Sequence, residues 1–194
     1  MCVISLPFQN NDYLSSIVHD KLYSLEECKK IIALEGEQIS SEAYGKTYKS
    51  VLGDCEKYPS AKKIKLNNEN KWIYQKVITS VNKQNKEYFN FNVGLIKDLH
   101  VIELTENASV PKHMDLGSGN FSTRKITFIC QLTEKDKFTE GDLAVYVPHE
   151  SYAFKSFEPG ELILFSSFVM YKITPVLSGT AHFLLGWADG PAFC

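Results

Sequence analysis

The sequence contains little that would direct it to a membrane or to nucleic acid. No apolar run approaches the roughly 18 residues of a membrane span. The N-terminus lacks the basic segment and long apolar stretch of a signal peptide. The net charge is −2 and the pI is near 6.2, so no basic field indicates a nucleic-acid partner or an anionic lipid surface. We therefore expect neither nucleic acid nor membrane as a partner.

Cysteine and arginine are also sparse. The five cysteines are scattered and form no Cys-x-x-Cys pair, which argues against a disulfide framework or a zinc site and predicts reduced thiols in a cytoplasmic protein. Arg124 is the single arginine, and every other strongly basic side chain is a lysine. With 194 residues and 44% hydrophobic content, the chain can bury one sizeable core, so one domain over residues 1–194 is expected.

The first part of the chain, residues 1–87, predicts helices and loops that support the rest. Ser24 and Glu27 have the spacing of a capping box, which predicts a helix with an apolar stripe as far as Leu34. A second helix is predicted to begin after Asn70 as its N-cap. The polar stretch between these helices predicts a long loop with one or two short strands around Tyr48–Leu52.

The second part, residues 88–194, changes to short strand-forming runs separated by turn sequences. Many short strands at such spacing are typical of a sandwich or barrel. The predicted fold class is therefore mainly β, a jelly roll of the double-stranded β-helix type backed by the N-terminal helices. The predicted strands are Phe89–Val93, Leu99–Leu104, Lys125–Leu132, Leu143–Val147, Glu161–Phe165, Tyr171–Val176 and His182–Trp187.

One short motif carries chemistry. His113 and Asp115 form a His-x-Asp triplet, and alternation along an extended segment puts residues i and i+2 on one side. An imidazole and a carboxylate placed in this way are two of the three ligands of a facial Fe(II) site, which leaves positions open for reactants. The triplet alone is a weak signal, because it arises often by chance.

Further motifs give the triplet more weight, because together they resemble a known family. The chain resembles the 2-oxoglutarate/iron(II)-dependent oxygenases, in their prolyl-hydroxylase-like branch, over most of its length. The similarity is most specific in the C-terminal part. The matching segments are Leu22–Leu34, Val81–Asn85, His113–Asp115, Thr123–Ile126, Glu140–Leu143, Pro159–Ser167, Ile173–Val176 and Gly186–Phe193.

The resemblance implies a helix-backed jelly roll, bound Fe(II) and 2-oxoglutarate, and hydroxylation of a peptide side chain or small molecule. It also shows departures at the site. The family's third iron ligand, a histidine, falls on Tyr171. The arginine that pairs with the distal carboxylate of 2-oxoglutarate falls on Ala181, and a tyrosine that often contacts this cosubstrate falls on Leu104.

Substitutes for the missing ligand remain open. Tyr171 could ligate as a phenolate, although an ordinary tyrosine with a pKa near ~10 is a poor Fe(II) ligand; the alternative is that it fills the space that a ligand left. His100 lies on the same strand face as Leu104 and could point into the barrel. His182 should face away from Ala181.

The cosubstrate carboxylate has two candidate cations on one strand. By alternation, Arg124 should lie on the face opposite Thr127, whereas Lys125 should share the inner face with Thr127. Lys125 is therefore the predicted substitute for the missing arginine, with a solvated lysine as the alternative.

Three functional hypotheses follow from this set of residues. The first is an atypical iron oxygenase with His113, Asp115 and Tyr171 as catalytic and metal-binding residues, and with Lys125, Thr127, Leu104 and Ala181 around the cosubstrate. The second is a catalytically silent oxygenase-fold protein that binds a ligand or a protein partner. The third keeps the pocket but changes the chemistry, with substrate lying where the cosubstrate lay.

Overall fold

A computed structural model describes residues 17–52, 55–147, 150–154 and 157–193. Its elements are β1 (Ile17–Lys21), α1 (Leu25–Ala33), β2 (Glu37–Ile39), α2 (Ser41–Leu52), β3 (Ser60–Ile64), α3 (Lys71–Gln84), β4 (Leu95–Ile96), β5 (Leu99–Leu104), β6 (Val110–His113), β7 (Arg124–Gln131), β8 (Phe138–Glu140), β9 (Leu143–Val147), β10 (Glu150–Phe154), β11 (Glu161–Ser166), β12 (Met170–Ile173), β13 (Val176–Gly179) and β14 (Ala181–Asp189). No helix among the described residues is long and apolar enough to span a bilayer.

Two antiparallel sheets make up most of the molecule. The larger has eight strands in the order β1-β11-β7-β14-β5-β3-β2, with β4 paired to β14, and the smaller has the order β10-β9-β12-β6. Both parts of the chain contribute strands to the larger sheet: β1, β2 and β3 come from residues 1–87, and its other strands come from residues 88–194. The predicted helix-backed jelly roll is confirmed.

The centre of the larger sheet is buried on both faces, which explains why β7 has no exposed residue. One face, with Leu104, Ile129 and Phe165, packs against the smaller sheet and encloses the first apolar core. The other face, with Phe128 and Leu164, packs against α1 and α3 and forms the second. Burial of a strand on both faces produces a continuous apolar run in place of alternation.

The capping box at the start of α1 forms as predicted. The Glu27 backbone N–H donates to Ser24 Oγ over 3.3 Å, and the Ser24 N–H donates to a Glu27 carboxylate oxygen over 2.9 Å. The second predicted cap is wrong in its detail. Asn70 precedes α3, but its side chain makes no capping bond and instead holds the preceding turn through Lys65 O and Asn67 N–H.

The loop predicted between the helices is wrong over residues 41–52, which form α2. The Ser40 hydroxyl accepts the Ala43 N–H over 3.2 Å and satisfies one of the first-turn donors, as an N-cap side chain does. Short polar residues favour turns as well as helix caps, which is why the sequence predicted a loop here. In the structure the Ser40 side chain caps a helix.

Two predicted strands also differ from the structure. Phe89–Val93 contains no strand, because α3 continues into a π-helical turn, Asn85–Phe89, that ends at Asn90 in the left-handed region with φ 53°. The predicted strand Tyr171–Val176 is interrupted before Pro175. Its first part is β12 of the smaller sheet, and its end begins β13, which pairs with β8 in a separate two-stranded sheet. Proline lacks the N–H that a continuous ladder would need.

Candidate active site

Three segments meet at the open end of the two-sheet core. The Ser167 carbonyl, just after β11, accepts the backbone N–H groups of Asp115 and Leu116, both over 2.9 Å. The Ser167 N–H donates to Lys125 O on β7 over 2.9 Å. These bonds fix the turn after β6 against the start of β7 and the end of β11. The backbone that carries Asp115 is therefore held by hydrogen bonds to both neighbouring segments.

His113 and Asp115 lie side by side, as the triplet predicts. His113 Nε2 is 3.5 Å from Asp115 Oδ1, and both side chains are buried. The other ring nitrogen, Nδ1, lies 2.8 Å from the Pro111 carbonyl, which orients the ring. A carbonyl can only accept, so this contact requires a proton on Nδ1.

Tyr171 lies against His113, at the position where the family has its third iron ligand. It is the register partner of His113 across β6 and β12, and the two ring centroids are 4.4 Å apart. Burial and the nearby Asp115 carboxylate raise the pKa of the Tyr171 phenol well above its ordinary value. Without a metal ion the phenol is therefore protonated, and it would have to lose its proton to act as a ligand.

Asp115 has partners on both oxygens. Oδ2 accepts the Thr127 hydroxyl over 2.8 Å, and Oδ1 accepts Arg124 Nη1 over 3.3 Å. The Trp187 indole N–H, which is buried without a hydrogen bond, also favours the charged carboxylate. Burial alone would raise the pKa of Asp115, but His113, Arg124 and Trp187 outweigh burial and lower it.

Arg124 corrects the prediction from strand alternation. The register of β7 against β14 shifts between Ile126 and Arg124, which are opposite the consecutive residues Ala188 and Asp189. This bulge at Lys125 turns the Arg124 side chain to the inner face, where it contacts Asp115. Bulges re-aim side chains in this way.

Lys125 does not take the place predicted for it. Its Nζ lies 3.1 Å from the centroid of the Phe193 ring, in an aromatic cluster with Phe91 and Phe168. Thr127, predicted for the same face, does point inward and contacts Asp115. The role of Lys125 as a cosubstrate anchor stays a prediction without support from its position.

The remaining predicted wall is apolar and closed. Leu104 and Ala181 are register partners across β5 and β14, and each is 0% exposed. They belong to the same packed cluster as Tyr171, which is 1% exposed. His182 faces away from this cluster, as predicted, and its ring nitrogens contact Thr133 and Glu103.

His100 lies on the inner side of the larger sheet with Leu104, as predicted, but not beside His113. Its ring meets the Trp187 indole edge to face at 5.4 Å between centroids. Burial, together with Lys63 and Arg124, lowers the pKa of His100 to about 4. Arg124 packs against the same indole, with its guanidinium carbon 3.5 Å from the Trp187 ring centroid.

The donor set satisfies only part of an iron site. Two ligands at ~2.1 Å from one ion and at right angles lie roughly 3 Å apart, so the 3.5 Å between His113 Nε2 and Asp115 Oδ1 is compatible with two-point metal binding. The described residues contain no cluster of three or more histidine, cysteine or acidic side chains that could hold a metal. For 2-oxoglutarate the residues do not fit, because the wall at Leu104 and Ala181 has neither a cation nor space.

Similar folds occur in solved structures. The chain aligns with a prolyl-4-hydroxylase from Pseudomonas putida at a TM-score of 0.66 and 14% identity, covering 90% of this chain and 92% of that one. The chain has the fold of the 2-oxoglutarate/iron(II) oxygenases. An oxidoreductase of the 2OG-Fe(II) oxygenase family from Burkholderia pseudomallei gives a TM-score of 0.65 at 12% identity, over 96% and 95% of the two chains.

Two further relatives agree with this fold. A viral collagen prolyl hydroxylase from Paramecium bursaria Chlorella virus-1, solved as a 2OG complex, gives a TM-score of 0.63 at 14% identity, over 90% and 96% of the two chains. In sequence, a PKHD-type hydroxylase of Synechococcus sp. (strain CC9605) is 26% identical over 99 residues. That match covers 50% of this chain and 45% of the relative. No protein-family model matches the chain. The predicted resemblance is confirmed.

Proposed function

We propose that this chain is an oxygenase-fold protein that does not turn over 2-oxoglutarate and acts by binding a ligand or partner. The fold supports the ancestry, and the interior supports the loss of turnover. The alternative that the sequence left open, a catalytically silent protein, is therefore preferred to the atypical oxygenase.

The observation that carries the proposal is the closed interior beside Tyr171. Leu104 and Ala181 have no surface that a water molecule could reach, and protein interiors of this kind are packed as densely as organic crystals. A dicarboxylate placed there would displace apolar side chains and bury its charge without a cation. Burying an unpaired charge costs far more than any contact there could return.

The metal-binding side of the site supports the same proposal. Fe(II) at His113 and Asp115 would need a third ligand, and the Tyr171 phenol would have to lose its proton to serve as one. The metal ion would also have to compete with Arg124, which contacts the same Asp115 oxygen that faces His113. The Arg124 guanidinium supplies the positive charge that stabilises this carboxylate, as a metal ion would otherwise do.

One observation favours a second candidate, the atypical iron enzyme. The bond from His113 Nδ1 to Pro111 O places the proton on Nδ1 and directs Nε2 towards Asp115, which is how a metal-ligating histidine is oriented. In this candidate His113 and Asp115 would hold the ion, and bound Fe(II) would supply O₂ activation. A small-molecule or peptide substrate and a protein partner both remain proposals.

The test compares binding and turnover directly. Anaerobic calorimetry with Fe(II), Mn(II) and 2-oxoglutarate at millimolar concentrations, followed by an aerobic assay for succinate, should give no cosubstrate binding and no succinate. The Pseudomonas putida prolyl-4-hydroxylase serves as the positive control. Succinate formation that disappears in His113→Ala would overturn the proposal and establish the enzyme.

A further inference from the structure

The outer face of the smaller sheet is apolar where a sheet that faces water is ordinarily polar. Every residue of β9 is apolar or aromatic, as expected of a strand that is covered on both faces. Leu143, Val145 and Val147 face the first core. By alternation Ala144 and Tyr146 lie on the opposite face, and no helix among the described elements packs extensively on β9. The run therefore indicates a face that the described part of the chain leaves uncovered.

A row of apolar side chains crosses this outer face. Met170 on β12 is the register partner of Tyr146. Met114 follows β6 and comes beside Met170, because the preceding pair in the register is Tyr171 with His113. Met170 is 40% exposed and Met114 is 36% exposed. Methionine adapts its shape to a partner, and methionine and aromatic residues are enriched where proteins bind each other. This methionine row, Met114, Met170 and Tyr146, thus has the composition of a binding surface.

Two lysines border the methionine row. The Lys112 ammonium lies 3.9 Å from the centroid of the Tyr146 ring, which it contacts as a cation–π pair. Lys172 on β12 is the register partner of Ala144, two residues along the strand from Met170. Neither lysine forms an ion pair with a described residue. Both ammonium groups are therefore available to a partner that covers the row.

The carboxylate that shares this face lies away from the row. Asp142 precedes β9 and has a partner of its own. It is four residues from Tyr146, or about 13 Å along the strand, which exceeds the screening length of about 8 Å at physiological ionic strength. On the other side, β10 pairs the uncharged Ser151 and Ala153 with Tyr146 and Ala144. The row is therefore locally positive, although the whole chain carries −2.

We propose that the methionine row and its two lysines bind an acidic peptide segment of a protein partner. Apolar side chains of the segment would cover the row, and its carboxylates would pair with the lysines. Two lysines are too few for a nucleic-acid backbone, which proteins hold by neutralising several phosphates. The inference rests on the proposed function, that the chain acts by binding, and it names the class of partner. The surface lies outside the barrel, on the face of the smaller sheet opposite His113 and Tyr171.

The sequence offers a direct probe of this surface. The chain has three methionines, so ¹³C-methyl labelling of methionine gives three resonances. Met114 and Met170 report on the row, and Met1 serves as the internal reference. A library of random dodecapeptides displayed on phage is selected against the full chain. Enriched peptides should combine acidic with apolar residues, and a synthetic copy of one should shift the two row resonances saturably without moving the third.

Variants then assign the contacts. Met170→Ser should weaken binding of the synthetic peptide about tenfold, because apolar area is no longer buried. Leu177→Ser is the matched control, since it removes an exposed apolar side chain on β13, and should leave binding unchanged. Lys112→Gln should weaken binding several-fold, whereas Lys135→Gln, which removes a lysine outside the smaller sheet, should not. Raising the salt concentration should also weaken binding to the natural chain.

The outcomes decide between the occupants of the face. Enrichment of basic or uncharged peptides, or equal binding to the natural chain and to Met170→Ser, would overturn the proposal. So would row resonances that shift with protein concentration alone, which would assign the face to a second copy of the chain. Row resonances that shift in the variant Ile4→Ser, Leu6→Ser would assign it to the N-terminal residues of the same chain, with the same consequence.

The succinate assay keeps this proposal separate from the proposed function. Peptide binding at the row together with succinate formation would overturn the proposed function and leave the docking surface intact. Absence of peptide binding together with absence of succinate would do the reverse.

Discussion

Asp115 is the residue on which the site depends. It is buried and contacts His113 on β6 and both Arg124 and Thr127 on β7, so a single carboxylate joins these two strands. Its pKa is lowered in the folded protein, because the favourable contacts exceed the effect of burial. The sign of the linkage follows: this contribution to stability is present above the unfolded pKa and is lost as the pH falls through the lower, folded pKa.

Removing the charge of Asp115 should leave Arg124 unpaired. We expect Asp115→Asn to lower the free energy of unfolding by about 2–4 kcal/mol, because breaking a buried pair leaves its partner uncompensated. The double variant Asp115→Asn, Arg124→Met should recover part of this loss, measured by urea unfolding. Glu37→Gln, which breaks an exposed pair with Lys65, should leave the free energy of unfolding nearly unchanged. Equal losses in the single and double variants would contradict the pairing.

His100 should make stability depend on pH between neutrality and pH 5. Its folded pKa of about 4 lies below its ordinary value of 6.5, so the unfolded chain binds more protons in this interval and stability rises with pH. The natural chain should lose about 2 kcal/mol between pH 7 and pH 5 from this group.

The measurement is urea unfolding at both pH values. His100→Gln should show a clearly smaller loss, with a remainder from His182, whose pKa burial also lowers. An unchanged pH dependence in His100→Gln would show that His100 is not the group responsible.

At the scale of elements, the bulge in β7 decides which cation enters the site. A regular strand would have presented Lys125 and turned Arg124 to the helical side. The shift in the register of β7 against β14, opposite Ala188 and Asp189, instead turns Arg124 to the inner face. The irregularity therefore positions the ion pair between Arg124 and Asp115.

The capping box at α1 gives a prediction on one helix. Ser24→Ala should destabilise the protein by about 1 kcal/mol, since it leaves the Glu27 N–H without its acceptor. The midpoint of thermal unfolding reports the change. Ser118→Ala is the matched control, because Ser118 precedes a 3-10 turn without a side-chain capping bond. A loss of similar size in both variants would argue against the cap as the cause.

At the scale of the whole molecule, Gly160 ties the N-terminal segment to the larger sheet. Its carbonyl accepts the N–H groups of Leu22 and Tyr23, and its own N–H donates to Gln131 O. Gly160 has φ 83°, and a Cβ there would lie 1.9 Å from Tyr23 O. Only glycine satisfies both the backbone conformation and the close approach.

Gly160→Ala should therefore destabilise the whole fold by at least about 2 kcal/mol, as left-handed strain and a backbone clash combine. Gly119→Ala tests the strain alone, because Gly119 has φ 60° with nothing within 4 Å of an added Cβ. We expect that variant to lose only about 1 kcal/mol. Chemical denaturation of both variants measures the difference, and equal losses would show that the approach to Tyr23 does not matter.

The sequence by itself determined the features that depend on neighbouring residues. The Ser24–Glu27 spacing determined the first cap, and the strand-forming runs with their turns predicted most of the jelly roll. Alternation predicted that His113 and Asp115 lie together. The residues at 104, 171 and 181 revealed the departures from the oxygenase pattern, because each departure is a change of residue type.

The tertiary structure alone decided the features that depend on distant partners. α2 forms where polar composition predicted a loop, and the register of β7 against β14 turned Arg124 inward against simple alternation. The closed interior at Leu104 and Ala181 results from packing between two sheets, which no local pattern encodes. Local geometry follows from residues near in the chain, whereas bulges and packed volumes are set by strands that meet only after folding.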